Sequence, residues 1–249
     1  MHARTLIRTL SVPLALSFPL ASPAQPAMGD GFLFGSPRAS LVLRTGYARP
    51  TAGSDVFSFV REHLTIGRDG FATSTISGEV AVRATPRLAV VFGIGTSART
   101  AHSEYREWVD NDDLPIEQST LLQRVPITVG VRYNLAPPGR SLSRLAWIPT
   151  RNVPYVAAGV GTTYYMFKQT GDFVDYKTLD VFYTEMKSFG WTPSAYAAAG
   201  FDHALSARLG LVTEVRYDVG RAKLSNDFSG FERIDLSGLA ATVGLAIRF

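Results

Sequence analysis

The chain has 249 residues, of which 46% are hydrophobic and 18% are charged, so it can bury the core of one sizeable domain and is not disordered in bulk. It contains no cysteine, which excludes disulfides, thiolate metal sites and cysteine nucleophiles. The 25 basic residues are scattered and exceed the 21 acidic residues by only four, so a nucleic-acid partner is not expected. No stretch reaches the roughly 18 consecutive apolar residues of a membrane-spanning helix.

The first segment has the pattern of an export signal. Basic residues precede an apolar run over residues 10–20, and Ser22 and Ala24 then place small side chains at the two positions that a signal peptidase reads. Prolines inside the run argue against a buried helix. We therefore expect residues 1–24 to be a cleaved signal peptide and residues 25–249 to form a single barrel domain.

Beyond this segment the dominant period is two, which is typical of strands with two different faces. One face is bulky and apolar, and the other is small or charged. A soluble sandwich would hide the bulky face, whereas a membrane barrel turns it to lipid. Eight such segments favour the second fold class, an all-β, eight-stranded antiparallel up-and-down transmembrane β-barrel, because bacterial barrels of this kind have an even number of strands. The predicted strands lie at 39–48, 71–84, 87–100, 120–135, 154–168, 191–203, 207–220 and 236–249.

The connections between these strands alternate in length. Those at 85–87 and 203–206 are tight turns, while those after the first, third, fifth and seventh strands are long and polar. Membrane barrels have short periplasmic turns and long external loops. The exception is the segment 136–153, which we expect on the periplasmic side as a short interfacial helix over Ser141 to Trp147, its apolar side chains Leu142, Leu145 and Trp147 touching lipid.

If the bulky faces contact lipid, the charged side chains of the strands point into the barrel, since a charge on the lipid face costs about 2–4 kcal/mol near the bilayer midplane. The inward set is predicted to be Arg44, Glu79, Arg83, Arg99, Arg124, Arg132, Glu214, Arg216 and Asp218. Within it, Glu79, Glu214 and Arg216 are expected to form a salt-bridged plug with Arg124. The alternative is a set of separate charges, each solvated by lumen water. Basic residues outnumber acidic ones in this set, so any ion conduction through the lumen should favour anions.

Aromatic residues near the predicted strand ends are expected to form the two girdles of a membrane barrel. They are Tyr47, Tyr133, Tyr155, Tyr165, Phe167, Trp191, Phe201, Tyr217 and Phe249.

The last strand has apolar residues at alternate positions and ends on an aromatic residue. Val243, Leu245, Ile247 and Phe249 carry this pattern, which resembles the signal by which outer-membrane proteins are recognised and inserted.

These features resemble the OmpA-like and OmpW-like family of small outer-membrane β-barrels. The resemblance is also carried by the strand opening Pro154 to Gly161 and by the segment Glu214 to Tyr217. The resemblance implies an outer-membrane location and, as partners, outer-membrane lipids, lipopolysaccharide and the assembly machinery. It offers no catalytic residue, cofactor or metal site to carry over. The favoured function is a structural or surface-interaction role for a barrel filled by side chains. The alternative, implied by the resemblance to OmpW-like proteins, is a narrow channel for small or apolar solutes.

Two clusters suggest other chemistry. His102, Ser103 and Glu104 invite a lipid-modifying hydrolase, but neighbouring residues of a strand face opposite sides, which is the wrong geometry for convergence. An acidic cluster over residues 110–117 could hold calcium, yet its spacing is not that of an EF-hand, and a solvated acidic loop is the favoured interpretation. The sequence therefore predicts a protein that is not an enzyme.

Overall fold

The structure is a computed structural model, and it describes residues 32–110, 113–143, 146–175, 178 and 180–249. The expected signal peptide, residues 1–24, lies outside this part of the chain.

The described chain consists mainly of long β-strands joined by loops. In chain order the elements are β1 (Ala39–Pro50), α1 (Asp55–His63), β2 (Thr73–Arg83), β3 (Leu88–Val109), β4 (Pro115–Asn134), β5 (Gly139–Ser143), β6 (Ala146–Pro149), β7 (Asn152–Val174), β8 (Val181–Ala204), β9 (Leu209–Ala222), β10 (Ile234–Asp235) and β11 (Gly238–Arg248). Single 3-10 turns lie at Arg68–Phe71 and Asn226–Phe228.

Eight of these strands pair with their neighbours in an unbroken ring. Each pair is antiparallel, in the order β1, β2, β3, β4, β7, β8, β9 and β11, and β11 pairs back onto β1 with Leu245 opposite Leu43. The backbone N–H groups of Arg38 and Ala39 donate to the Phe249 carbonyl oxygen and hold the two ends of the ring together. The predicted eight-stranded up-and-down barrel is confirmed.

The two ends of the barrel differ. One end, here called the turn end, carries the connections at 84–87 and 205–208 together with Phe249. The other, the loop end, carries the connections 51–72 and 223–237 and the outer tips of β3, β4, β7 and β8.

The alternation of the strands sorts side chains between the lumen and the outer surface. Val42 is fully buried while its neighbour Leu43 is 60% exposed, and the same alternation recurs around the ring. A band of large apolar side chains therefore covers the outside, far beyond the patch that a soluble monomer exposes. It includes Ile76, Phe92, Ile94, Val129, Val160, Val215, Val243 and Ile247. No helix among the described residues is long and apolar enough to cross a membrane.

Four strands extend well beyond their predicted bounds at the loop end. β3 continues to Val109 and β4 begins at Pro115, while the sequence predicted strands ending at 100 and beginning at 120. β7 and β8 extend in the same way. In the extensions of β3 and β4 the outward face is mostly polar, as at His102 and Ser119, so the contrast between a bulky and a small face, on which the prediction depended, disappears there.

The expected interfacial helix over residues 141–147 is wrong. This segment forms the hairpin of β5 and β6, and Trp147 is buried, not lipid-exposed. The backbone groups of Trp147 exchange two hydrogen bonds of 2.9 Å with Leu33. Leu33 therefore pairs with the hairpin in the manner of a third strand. It lies more than 100 residues away in sequence, so the local pattern around Trp147 could not indicate this pairing. Leu142 is exposed, and Leu145 lies outside the described residues.

Candidate functional site

Five buried polar side chains from five strands meet in the middle of the barrel, and we call them the lumen network. Glu79 pairs with Arg44 at 3.3 Å and also binds Arg132. Arg44 reaches Glu214 at 3.4 Å, and the Tyr155 hydroxyl donates a hydrogen bond of 2.9 Å to the same carboxylate. The guanidinium of Arg132 lies over the Tyr155 ring, 4.3 Å from its centroid. Cations and anions therefore alternate across the lumen.

The strand pairing explains why these residues converge. Glu79 lies opposite Val42 on β1, so the inward side chains of both strands share one level of the lumen. Strands of a closed barrel are tilted, and the resulting stagger brings Arg132 of β4 to this level although its paired neighbour on β3 is Ala89. Each charge is buried, so removing one partner leaves the other uncompensated, which costs about 3–5 kcal/mol.

The predicted membership of this network is partly wrong. Glu79 and Glu214 belong to it, but Arg124 does not: its guanidinium donates to the Leu236 carbonyl oxygen at 3.0 Å, nearer the loop end. Arg216 binds the Asp218 carboxylate at 2.8 Å and stacks on the Tyr196 ring at 3.7 Å.

The physical reason is position along the strand. Arg124 is eight residues closer to the loop end of β4 than Arg132, and the strand stagger selects Arg132 to meet Glu79. Of the other predicted inward residues, Arg99 is exposed, because it lies beyond the paired end of β2.

Above the lumen network, the loop end is closed by an apolar cluster that we call the mouth core. Phe57 of α1 is fully buried and makes edge contacts with Phe71 and with Phe167 of β7, at centroid distances of 5.1 and 5.7 Å. Phe228, from the last long loop, packs against Phe167 with the rings tilted at 57° and their centroids 5.2 Å apart. Further buried members are Val56, Val60, Leu64, Ile66, Ile116, Leu122, Tyr165, Leu224, Ile234 and Leu236.

Hydrogen bonds join the first and last long loops around the mouth core. The Asp235 carboxylate accepts from the Gly53 backbone N–H at 3.2 Å, and the Ser54 hydroxyl accepts from the Asp235 N–H at 3.1 Å. The Asp55 carboxylate accepts from the Glu232 N–H at 2.8 Å. Loops separated by about 180 residues thus form one closed structure across the mouth.

The mouth core was not predicted from the sequence. Its clearest signal was the spacing of Val56, Phe57, Val60 and Leu64, an apolar stripe at helical period within a segment assigned to a loop. Nine residues are short for a helix in isolation, and α1 is stabilised by burial against the barrel.

Three of the predicted girdle residues were also placed on the wrong face. Tyr155, Tyr165 and Phe167 of β7 are buried inside the barrel, because odd-numbered residues of this strand point inward. The Tyr165 hydroxyl donates to the Lys223 carbonyl oxygen at 2.7 Å. The other six predicted girdle residues are exposed on the outside: Tyr47, Tyr133, Trp191, Phe201, Tyr217 and Phe249.

The adjacent residues His102, Ser103 and Glu104 face opposite sides, as the period of a strand requires. Ser103 is buried and donates to the Gln118 carbonyl oxygen, whereas His102 points outward. Its Nδ1 atom lies 2.8 Å from the Ser119 hydroxyl, in an open polar pocket of about 450 Å³. Among the described residues no group orients the other ring nitrogen, so the pair lacks the third member that activates a serine nucleophile.

The acidic cluster is built partly as a turn. The Asp110 carboxylate accepts a hydrogen bond of 2.8 Å from the Leu114 N–H. Asn111 and Asp112 lie outside the described residues, and in the described remainder no three His, Asp or Glu side chains are grouped as metal ligands.

No family model and no curated protein matches this chain. Among solved structures it is similar to Neisserial surface protein A, with 11% identity, 85% of this chain and 96% of that chain covered, and a TM-score of 0.44. It is also similar to OprG from Pseudomonas aeruginosa (12% identity, 86% and 98% covered, TM-score 0.45) and to Ail from Yersinia pestis (11%, 85% and 99%, 0.40). These three solved structures are small outer-membrane β-barrels. The likeness is one of architecture, and the barrel in this chain is established by its own strand pairing.

Proposed function

We propose that the chain is an integral outer-membrane β-barrel protein with a closed lumen and a structural or surface-interaction role. The observation that carries this proposal is the double closure, with the buried ion pairs of the lumen network below and the mouth core above. A barrel of eight strands has an interior just wide enough for side chains, so two filled levels leave little room for a solute.

The outer surface supports a membrane position. Tyr164 and Trp191 form an aromatic pair at 5.4 Å on the outer face, at the level expected of an interfacial girdle. Two residues further along each strand in the loop-end direction come Met166 and Phe189, and then Lys168 opposite Lys187. Lys168 binds Glu185, the next outward residue of β8, at 2.8 Å. The hydrogen bond from Lys168 lowers the pKa of the Glu185 carboxyl, so this carboxylate is ionised at neutral pH. This sequence from aromatic to charged side chains is what a strand leaving the bilayer shows.

Outer-membrane lipids, lipopolysaccharide and the assembly machinery are the partners we propose, with export through a cleaved signal peptide. The surface-interaction role is proposed for the four extended strands, whose outward faces beyond Lys168 expose charged side chains such as Glu104 and Glu117 beside the aromatic Tyr183.

Conductance of the refolded barrel in a planar lipid bilayer tests the closed lumen. We expect the parent protein to give no discrete steps. A matched control replaces the exposed Lys168 and Glu185 with serine, and it should be equally silent because neither residue closes the lumen. Reproducible steps from the parent would overturn the proposal in favour of a channel.

A second candidate function, a path for small apolar solutes, is favoured by one observation. An open groove of about 510 Å³ lies on the outer wall between β7, β8, β9 and β11, lined by apolar side chains that include Val156, Phe201 and Val215. Its base is the hydrogen-bonded pair of Tyr155 and Glu214. Filling it with Ala199→Leu should slow entry of an alkane into proteoliposomes if this path operates, and should change nothing if the groove only holds lipid.

A further inference from the structure

The turn end of the barrel contains a small cavity with an unusual set of charges. Its volume is about 70 Å³, and the arginines Arg38, Arg83, Arg132 and Arg248 line it beside a single acidic residue, Asp202. The inward positions around it are occupied by small residues such as Ala81 and Ala89, which leave the space open. The buried Trp147 of the β5–β6 hairpin forms part of its wall.

Two of these arginines lie directly opposite each other. Ala39 of β1 pairs with Val82 of β2, so the next pair along is Arg38 and Arg83, and the Arg83 N–H donates to the Arg38 carbonyl oxygen at 2.8 Å. Like charges directly across two strands destabilise a sheet. Within the described chain, neither guanidinium forms an ion pair.

The acidic groups near the cavity are already engaged. Asp202 binds Arg248, and Glu79 binds Arg132 from the lumen side. Arg132 is 6% exposed, and its Nε atom is buried with no hydrogen-bond partner in the described structure. A buried N–H without a partner is costly, so Arg132, which lines the cavity, has one unused donor.

We propose that this cavity binds one small oxyanion of the phosphate or sulfate class, held by the guanidinium groups of Arg83 and Arg132 with Arg38 at the entrance. Planar guanidinium groups match the oxygen geometry of such anions. A space of 70 Å³ exceeds that needed for a single water several times over, which is enough for one tetrahedral anion. The bound anion would compensate the Arg38–Arg83 pair and satisfy the Arg132 donor.

Calorimetric titration of the refolded barrel with inorganic phosphate tests this site. We expect saturable binding of one phosphate per chain, and we expect Arg83→Gln to weaken it by about tenfold or more, the effect of losing one hydrogen bond to a charged group. Arg83→Lys keeps the charge and should bind with intermediate affinity. The matched control is Arg87→Gln, which removes the same charge from an exposed position of the adjacent turn and should bind like the parent.

A second measurement reports from inside the cavity. In a Trp108→Phe, Trp191→Phe background, Trp147 is the remaining tryptophan, and phosphate should change its fluorescence with the same midpoint as the calorimetric titration. Glycerol phosphate serves as a comparison for a headgroup source and should bind more weakly than inorganic phosphate. Absence of saturable binding by the parent, or equal losses in Arg83→Gln and Arg87→Gln, would overturn the proposal. Neither result depends on whether the barrel conducts, so this test is independent of the proposed function.

Discussion

At the scale of single residues, the lumen network shows how a polar interior can be stable in a narrow barrel. Arg44 contacts both Glu79 and Glu214, and Tyr155 supplies the further donor that the second carboxylate requires. Buried ion pairs often contribute little net stability compared with an apolar core, but they are costly to break from one side. Each charged residue of the lumen network therefore compensates the charge of another, and their contributions to stability are not additive.

Replacement of Glu79 tests this interdependence. Glu79→Gln removes the carboxylate shared by Arg44 and Arg132 and leaves two buried cations with one remaining anion. We expect a loss of about 3–5 kcal/mol in the free energy of unfolding, measured by denaturant titration of the refolded protein. The control Glu185→Gln breaks the exposed pair with Lys168 and should leave the unfolding midpoint unchanged. Equal, small effects of both substitutions would show that the buried pairs are already solvated.

At the scale of elements, α1 is a helix that the barrel stabilises by burying one face. Phe57 points into the mouth core between Phe71 and Phe167, while Phe59 on the same helix is half-buried against His63 and Phe231. The helix closes the mouth without belonging to the strand ring, so the mouth can open locally while the barrel stays folded.

Limited proteolysis measures that local stability. Phe57→Ala removes a fully buried ring, a change that costs about 3–5 kcal/mol in well-packed cores, and it should make the loop 51–72 a rapid cleavage site while the barrel remains intact. Phe59→Ala, the same substitution two residues away, should have a clearly smaller effect. If both variants are cleaved at the parental rate, the helix is not held by the mouth core.

The last strand carries a further prediction at this scale. Phe249 is exposed on the outside, while its backbone carbonyl accepts two hydrogen bonds from β1. Phe249→Ala keeps those backbone bonds and removes only the side chain, so a drop in the amount of barrel assembled in the outer membrane would reflect lost recognition of the final strand. The control Val219→Ala shortens another outward side chain and should assemble normally. Normal assembly of both would count against an insertion signal at Phe249.

At the scale of the whole molecule, the sequence predicts the ring of strands but not what fills it. Most strands of the ring alternate large apolar outward side chains with small or polar inward ones, so a local period of two was enough to find all eight, although the inward Tyr155, Tyr165 and Phe167 of β7 reverse this pattern. The mouth core brings Phe57 and Phe228 together on Phe167, and the β5–β6 sheet pairs with Leu33, so both result from contacts between distant segments. The choice of Arg132 over Arg124 in the lumen network results from strand stagger, which no single segment encodes.

The closure of the lumen at two levels is a property of the whole molecule. The lumen network and the mouth core lie one above the other, so they close the barrel in series, and either one alone should prevent conduction. The decisive measurement is bilayer conductance of a set of three variants. One replaces Arg44, Glu79, Arg132 and Glu214 with serine, one replaces residues 53–71 with a short glycine-serine linker, and one combines both changes. We expect no conductance from the parent or from either separate variant, and discrete conductance steps from the combined variant. Steps from the parent or from either separate variant would contradict a barrel closed at two levels.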